Sequence, residues 1–196
     1  MMGPVERIQS DRTEARQLGD TNADICFLAL ADTEGNASIR TLVLRDIIDN
    51  RFTLFINKSS PKWKALMSGA SLELLIWYST LQHQYRVSGA MRELDPETVK
   101  SNWQHRPIGS KYLDHVYEEL GEQSSPIPSR STLTDKIEQV KANLDPENMK
   151  APPLVAGIEI IADRIEVLDL SMEDRIHDRQ VHRFNGSGWD SETLIP

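Results

Sequence analysis

Near the C-terminus, Arg175-Ile176-His177-Asp178-Arg179 sets three basic side chains at alternate positions. Side chains alternate between the two faces of an extended segment, so Arg175, His177 and Arg179 would form a comb on one side of a strand. In a chain of formal net charge -8, such a comb either recognises an anion or guards a sheet edge with charge. Three other groups invite the same question. Arg40 and Arg45 flank Thr41-Leu42-Val43-Leu44, an odd spacing that sends them to opposite faces of a regular strand. They serve two adjacent anions, or one is an ordinary surface arginine. Lys62 falls in the first turn of a short helix, where the dipole disfavours a cation by ~0.3–1 kcal/mol unless an anion is present. Free backbone N–H groups there suit a phosphate, and a solvated lysine beside Lys64 suits the position equally. In Gln82-His83-Gln84-Tyr85-Arg86, alternation sets Gln82, Gln84 and Arg86 on one face. An amide donates and accepts, which fits the edge of a heteroaromatic ring, although an exposed polar face fits as well.

Composition removes several classes of function. Twenty-two Lys and Arg against 30 Asp and Glu argue against nucleic acid or an anionic membrane as partner. The single cysteine, Cys26, lies in Ile25-Cys26-Phe27-Leu28, which reads as a buried small hydrophobe with no internal disulfide. The five histidines and one cysteine show no metal-site spacing, so no metal is expected. There is no Gly-rich dinucleotide loop and no nucleophile elbow. No signal-like or membrane-spanning apolar run occurs, and a cytoplasmic location is expected.

The elements that must position these residues are mostly strands. Residues 1–22 read as a mobile arm or a partner-dependent segment, with a short helix around Asp11 to Leu18, followed by one domain over 23–196. Strands are expected over Ile25–Leu30, Ala37–Ile47 and Arg51–Ile56, then Leu72–Tyr78 and Gln82–Arg92. Helices are expected from Ser60-Pro61 to Gly69, from Asp95-Pro96 through Trp103, over Ser110–Leu120 and over Leu133–Leu144. Two further strands, Leu154–Ile161 and Arg164–Leu170, precede a hairpin of Val181–Phe184 with Trp189–Ile195 across Asn185-Gly186-Ser187-Gly188. Strands at both ends enclosing helices predict a small antiparallel barrel, mainly β with flanking helices.

In order along the chain, several motifs resemble those of pyridoxamine/pyridoxine 5'-phosphate oxidases. They are Arg40-Thr41-Leu42-Val43-Leu44-Arg45, Phe55-Ile56-Asn57, Ser60-Pro61-Lys62, Gln84-Tyr85-Arg86-Val87, Arg106-Pro107, Ser110, Gln123-Ser124-Ser125 and the terminal Arg175-Ile176-His177-Asp178-Arg179. The resemblance spans about residues 24–196 and implies an FMN-binding split β-barrel that forms a homodimer with FMN at the interface. It implies an FMN-dependent oxidase converting pyridoxamine or pyridoxine 5'-phosphate to pyridoxal 5'-phosphate with O2 as acceptor. Arg40, Thr41, Leu42, Val43, Leu44 and Arg45 would run along the flavin, with Phe55 and Ile56 touching it through backbone. Arg40 and Lys62 would neutralise its phosphate, Gln84, Gln123 and Ser124 would add hydrogen bonds, and Arg179 would lie on the flavin side. Arg45, Arg106 and Ser110 would hold the substrate phosphate, and Arg175 and His177 would act as the catalytic pair around its ring.

The chain departs from the family pattern at Pro61, at Phe55 and Ile56, at Arg45 in place of a lysine, at Asn102 in place of a tyrosine, and at Leu168 near a tryptophan position. These departures mark a divergent member. Two alternatives to the oxidase stand beside it: a flavin oxidoreductase using NAD(P)H on another small substrate, and a non-catalytic FMN- or pyridoxal phosphate-binding protein.

Overall fold

Hydrophobic alternation bounded by turn residues becomes strand, and capped segments of helical spacing become helix, over most of the chain. The computed structural model, which describes residues 2–146, 148–173 and 176–196, runs α1 (Pro4–Gln17), β1 (Ile25–Ala31), β2 (Ala37–Ile48), β3 (Arg51–Asn57), α2 (Pro61–Met67), β4 (Ser71–Tyr78), β5 (His83–Glu93), α3 (Pro96–Gln104), α4 (Ile108–Leu120), α5 (Arg130–Asn143), β6 (Val155–Asp169), β7 (Asp178–Phe184) and β8 (Trp189–Thr193). The strands lie in the order β3-β2-β1-β4-β5-β6-β7-β8, and a further β3–β6 pairing closes the first six into an antiparallel barrel, as expected. Packing groups the chain into two units. One comprises Met1–Leu54, Ser68–Arg92 and Glu159–Pro196, the other Phe55–Met67 and Glu93–Ile158.

In the first unit, alternate residues of each strand are buried, among them Leu28, Leu44, Phe52, Leu74, Ile76 and Val87. Close strand approach requires Gly89, where a Cβ would lie 2.0 Å from the Ile161 carbonyl oxygen. Two expected strands, Leu154–Ile161 and Arg164–Leu170, are instead the single strand β6. A turn at Ala162 is excluded because its N–H donates to Asn50 O at 2.8 Å and its carbonyl accepts Asn50 Nδ2 at 3.0 Å. In β2, Leu44 faces Leu54 and Asp46 faces Thr53, so Arg45 is the extra residue of a β-bulge. Strict alternation from Arg40 to Arg45 therefore fails. Burial pushes the Cys26 thiol up to about 12, in keeping with an inert side chain.

The expected mobile arm is a docked helix. Its buried positions Pro4, Val5, Ile8, Asp11, Arg12 and Ala15 follow helical spacing, but two of the six are charged. Buried charges need partners. Arg12 donates to Ala23 O at 3.2 Å and to Asp24 Oδ1 at 2.8 Å, and Gln9 Nε2 donates to Ile47 O at 2.8 Å. Asp11 accepts the Tyr85 hydroxyl and meets His83 Nδ1 at 2.6 Å, while Asp169 lies 3.1 Å from His83 Nε2 and 3.2 Å from Arg7. The Asp11 hydrogen bond raises the His83 pKa above its ordinary 6.5; burial opposes this, the charges of Asp11 and Asp169 reinforce it, and Arg7 subtracts from it. A raised value means that the stabilisation is complete below about pH 6.5 and is lost as pH rises through the folded value. Thermal midpoints between pH 6 and pH 9 should therefore fall more steeply for wild type than for His83→Gln. Parallel curves would remove His83 from the docking of α1.

In the second unit, Val99, Trp103, Tyr112, Val116, Val140, Met149 and Val155 form the core, with Phe55 and Leu94 packed against it. Asp95 caps α3 by accepting Thr98 N–H at 2.9 Å, with Pro96 at the first helical position. Ser129 caps α5 in the same way at 3.3 Å, so this helix begins three residues before the expected Leu133. Ser60 Oγ accepts the Trp63 N–H at 3.3 Å and starts α2. Among the described residues no helix is long and apolar enough to cross a membrane.

Candidate functional site

In the first unit, β2 presents the predicted Arg40–Arg45 segment unevenly. Thr41 and Val43 are exposed, Leu42, Arg40 and Arg45 are half-buried, and Leu44 is fully buried. Leu44 has its side chain in the core, its N–H donates to Asp24 O at 3.0 Å, and its carbonyl accepts Arg12. Burial lowers the Arg40 pKa, and its guanidinium donates to Ser38 Oγ. Ser38, Leu30, Ile39, Leu72 and Glu73 help line an open, mainly apolar cavity of about 530 Å³. Gln84 is half-buried opposite Trp77.

The terminal comb is not a strand face. Arg175 lies outside the described residues; of the others in the pentad, His177 precedes β7, and Asp178 and Arg179 belong to the strand. His177 is half-buried, and its Nδ1 is buried with no hydrogen-bond partner among the described residues. Arg179 is held by Glu166, with Nε and Nη2 at 3.0 and 2.8 Å from Oε1. Arg164 and Arg86 meet the same carboxylate at 2.5 and 3.3 Å, and Arg86 also pairs with Glu73 at 2.8 Å. Three guanidinium groups therefore surround two carboxylates across β4 to β7. Burial by itself would raise the Glu166 pKa, but hydrogen bonds from Arg164 and Arg179 and the charges of Arg86 and Arg179 outweigh it and hold the carboxyl below its usual range. Leu168 faces Arg179 in the β6–β7 register.

In the second unit, Phe55 and Ile56 turn their side chains into packed surroundings, which leaves backbone as their means of contact. Asn57 is buried with Nδ2 unpartnered among the described residues, while its Oδ1 accepts Ser59 N–H at 2.8 Å. Lys62 is only 8% exposed in the first turn of α2, and its Nζ donates to Gln123 Oε1 at 2.9 Å. Lysine is rarely buried without a partner. Gln123 is positioned by its own N–H to Ser59 Oγ at 3.0 Å and by Nε2 to Tyr117 Oη at 3.3 Å. Ser124 is exposed at φ 75°, an uncommon conformation for a residue other than glycine. A buried cation and an orphaned amide donor on one strand–helix segment fit an anion such as a phosphate.

Elsewhere in this unit, Arg106 precedes α4 and donates from Nη1 to Asp114 Oδ2 at 2.6 Å. Ser110 sits half-buried in the first turn of α4, its N–H bonded to Pro107 O at 3.0 Å. Asn102 turns back on its own helix, with Nδ2 donating to Thr98 O at 2.9 Å. Burial raises the Asp114 pKa against the opposing charge of Arg106 and the hydrogen bond from Trp103.

No family model matches the chain. A pyridoxine/pyridoxamine 5'-phosphate oxidase of Paraburkholderia phymatum is 30% identical over 170 residues, covering 86% of this chain and 77% of the relative. The chain belongs to the pyridoxine/pyridoxamine 5'-phosphate oxidase family. Another such oxidase, from Erythrobacter litoralis, is 29% identical over 95% of this chain and 86% of its own. Among solved structures, PhzG from Burkholderia lata, in complex with tetrahydrophenazine-1-carboxylic acid, superposes with a TM-score of 0.86 at 18% identity, covering 99% of this chain and 93% of PhzG. A pyridoxamine 5'-phosphate oxidase-related, FMN-binding protein from Nostoc punctiforme has a TM-score of 0.79 at 18% identity over the whole of both chains. At these identities the two structures show that the chain shares their fold.

Sequence reasoning missed Glu166, Asp114 and the Asn57 amide. Glu166 had one local signal, since Arg164 two residues earlier shares its strand face. Asp114 had none, because its partners Trp103 and Arg106 precede α4 in the chain and meet it only when the helices pack. Among the described residues no cluster of His, Cys, Asp or Glu is arranged to hold a metal ion.

Proposed function

We propose that the chain is an FMN-dependent oxidoreductase acting on a small heteroaromatic substrate, with pyridoxine or pyridoxamine 5'-phosphate oxidation to pyridoxal 5'-phosphate as the first reading. The observation that carries it is Lys62, a buried lysine in a helix first turn following the unpartnered Asn57 amide donor. Lys62 and Arg40 would neutralise the flavin phosphate, and Gln84 and Gln123 would direct amide groups at the ring system. When bound, FMN supplies the acceptor for a hydride from substrate C4' and returns the electrons to O2 as H2O2. Arg106 and Ser110 would bind the far end of the substrate, and Arg175 and His177 would hold its ring in place, a positioning role that makes transfer effectively unimolecular. The His177 imidazole, whose Nδ1 has no hydrogen-bond partner among the described residues, would offer a ring nitrogen to a proton released from the substrate hydroxyl or amine. On this reading the protein would act as a homodimer with FMN at its interface. A second reading, a different small substrate with NAD(P)H as reductant, is favoured by Asn102 and by the pairing of Arg106 with Asp114.

An anaerobic reduction series on FMN-loaded protein separates these readings. Bleaching of flavin absorbance by pyridoxine or pyridoxamine 5'-phosphate supports the first, and bleaching by NAD(P)H alone supports the second. His177→Ala should slow bleaching while retaining flavin. A protein that binds no FMN overturns both readings.

A further inference from the structure

The α3–α4 corner holds a charge pair anchored at both ends. Asp114 Oδ2 accepts Arg106 Nη1 at 2.6 Å and the Trp103 indole N–H at 2.8 Å. The Asp114 side chain is 7% exposed, whereas that of Arg106 keeps 22%, so the carboxylate sits behind the guanidinium as seen from solvent. Trp103 is fully buried, so the carboxylate cannot readily swing away from Arg106. The adjacent cation is also committed, since Lys111 Nζ donates to Gln104 O at 2.7 Å and lies 5.1 Å from the Trp103 ring centroid. An arginine has five N–H donors, and Nη1 spends only part of that fork on Asp114. Arg106 therefore keeps hydrogen-bonding capacity toward solvent while its positive charge is offset from behind.

We propose that Asp114 is a specificity-determining residue, which sets how strongly this end of the site prefers a phosphorylated substrate. The inference rests on the reading that Arg106 and Ser110 face the substrate. A phosphate dianion would meet a guanidinium whose charge is partly offset by the carboxylate behind it, so recognition leans more on hydrogen bonds that an uncharged or singly charged group also makes. Asp114→Asn retains a carbonyl oxygen for the Trp103 N–H and removes the charge, and Asp114→Ala removes both.

The test is fluorescence titration of FMN-loaded wild type and both variants with pyridoxal and pyridoxal 5'-phosphate, with flavin absorbance recorded in the same samples. Wild type should prefer the phosphorylated ligand by less than about tenfold, and each folded variant should raise that preference about tenfold or more, equivalent to about 1.4 kcal/mol. The affinity for pyridoxal should stay unchanged. An unaltered ratio in flavin-loaded variants overturns the inference alone, as does a wild-type preference above about a hundredfold, or about 2.8 kcal/mol. Absence of flavin or of any ligand binding overturns the functional reading together with it.

Discussion

Lys62→Met is expected to weaken FMN binding by about 10- to 150-fold, because a charge-assisted hydrogen bond to a phosphate contributes ~1.5–3 kcal/mol. Methionine preserves the length of the side chain and suits a buried position, so the fold should survive while the cation is lost. The effect should exceed that of Arg40→Met, since Lys62 is buried and Arg40 only partly so, and water screens an exposed charge more strongly. Flavin titration followed by fluorescence quenching measures both. Equal FMN affinity in wild type and Lys62→Met would remove this lysine from the cofactor site. The salt dependence of wild-type binding adds a check, because loss of a phosphate contact should flatten it.

Glu166→Ala should be the most destabilising single change in the barrel outside the apolar core. It removes the carboxylate shared by Arg86, Arg164 and Arg179, and Glu73 remains paired with Arg86 and Arg164. Breaking a buried ion pair costs ~3–5 kcal/mol, and the lower end applies here because the three arginine side chains are 37%, 31% and 31% exposed. A loss of about 3 kcal/mol lowers the thermal midpoint by about 6–12 °C for a chain of this size. The pH dependence carries the same information. The folded carboxyl titrates below its ordinary 4.5, so its contribution is complete above that value and is lost as pH falls through the folded one. Wild type should lose stability in that acid range more steeply than Glu166→Gln, and coincident acid transitions would show that Glu166 is not the group responsible. Because Glu166 also holds Arg179, flavin titration of the same variant tests the proposed contact of that arginine with FMN.

Turns and helix caps were legible because they depend on neighbours within a few residues. Ser60-Pro61, Asp95-Pro96 and Asn185-Gly186-Ser187-Gly188 each marked an element end that the structure places close to the expected position. Alternation located β1 to β5 to within a residue or so at each end, and their number pointed to a barrel. The same rule misread residues 154–170 as two strands, because the Asn50 contacts that keep Ala162 in the sheet come from a residue more than a hundred positions away. It also missed the docking of α1, whose buried face contains Asp11 and Arg12 and so lacks an apolar stripe.

For the site, residue types and spacing alone determined a set of candidate anion-binding cations and, through their order, the family to which the chain belongs. Only the tertiary structure decided how those cations are employed. Lys62 became a buried donor held by Gln123, Arg45 became the extra residue of a bulge, and Arg179 and Arg106 were each paired with a carboxylate. The physical reason is range. Helix caps and strand alternation act within a few residues, whereas the charge on an arginine depends on whichever carboxylate the fold brings within about 3 Å.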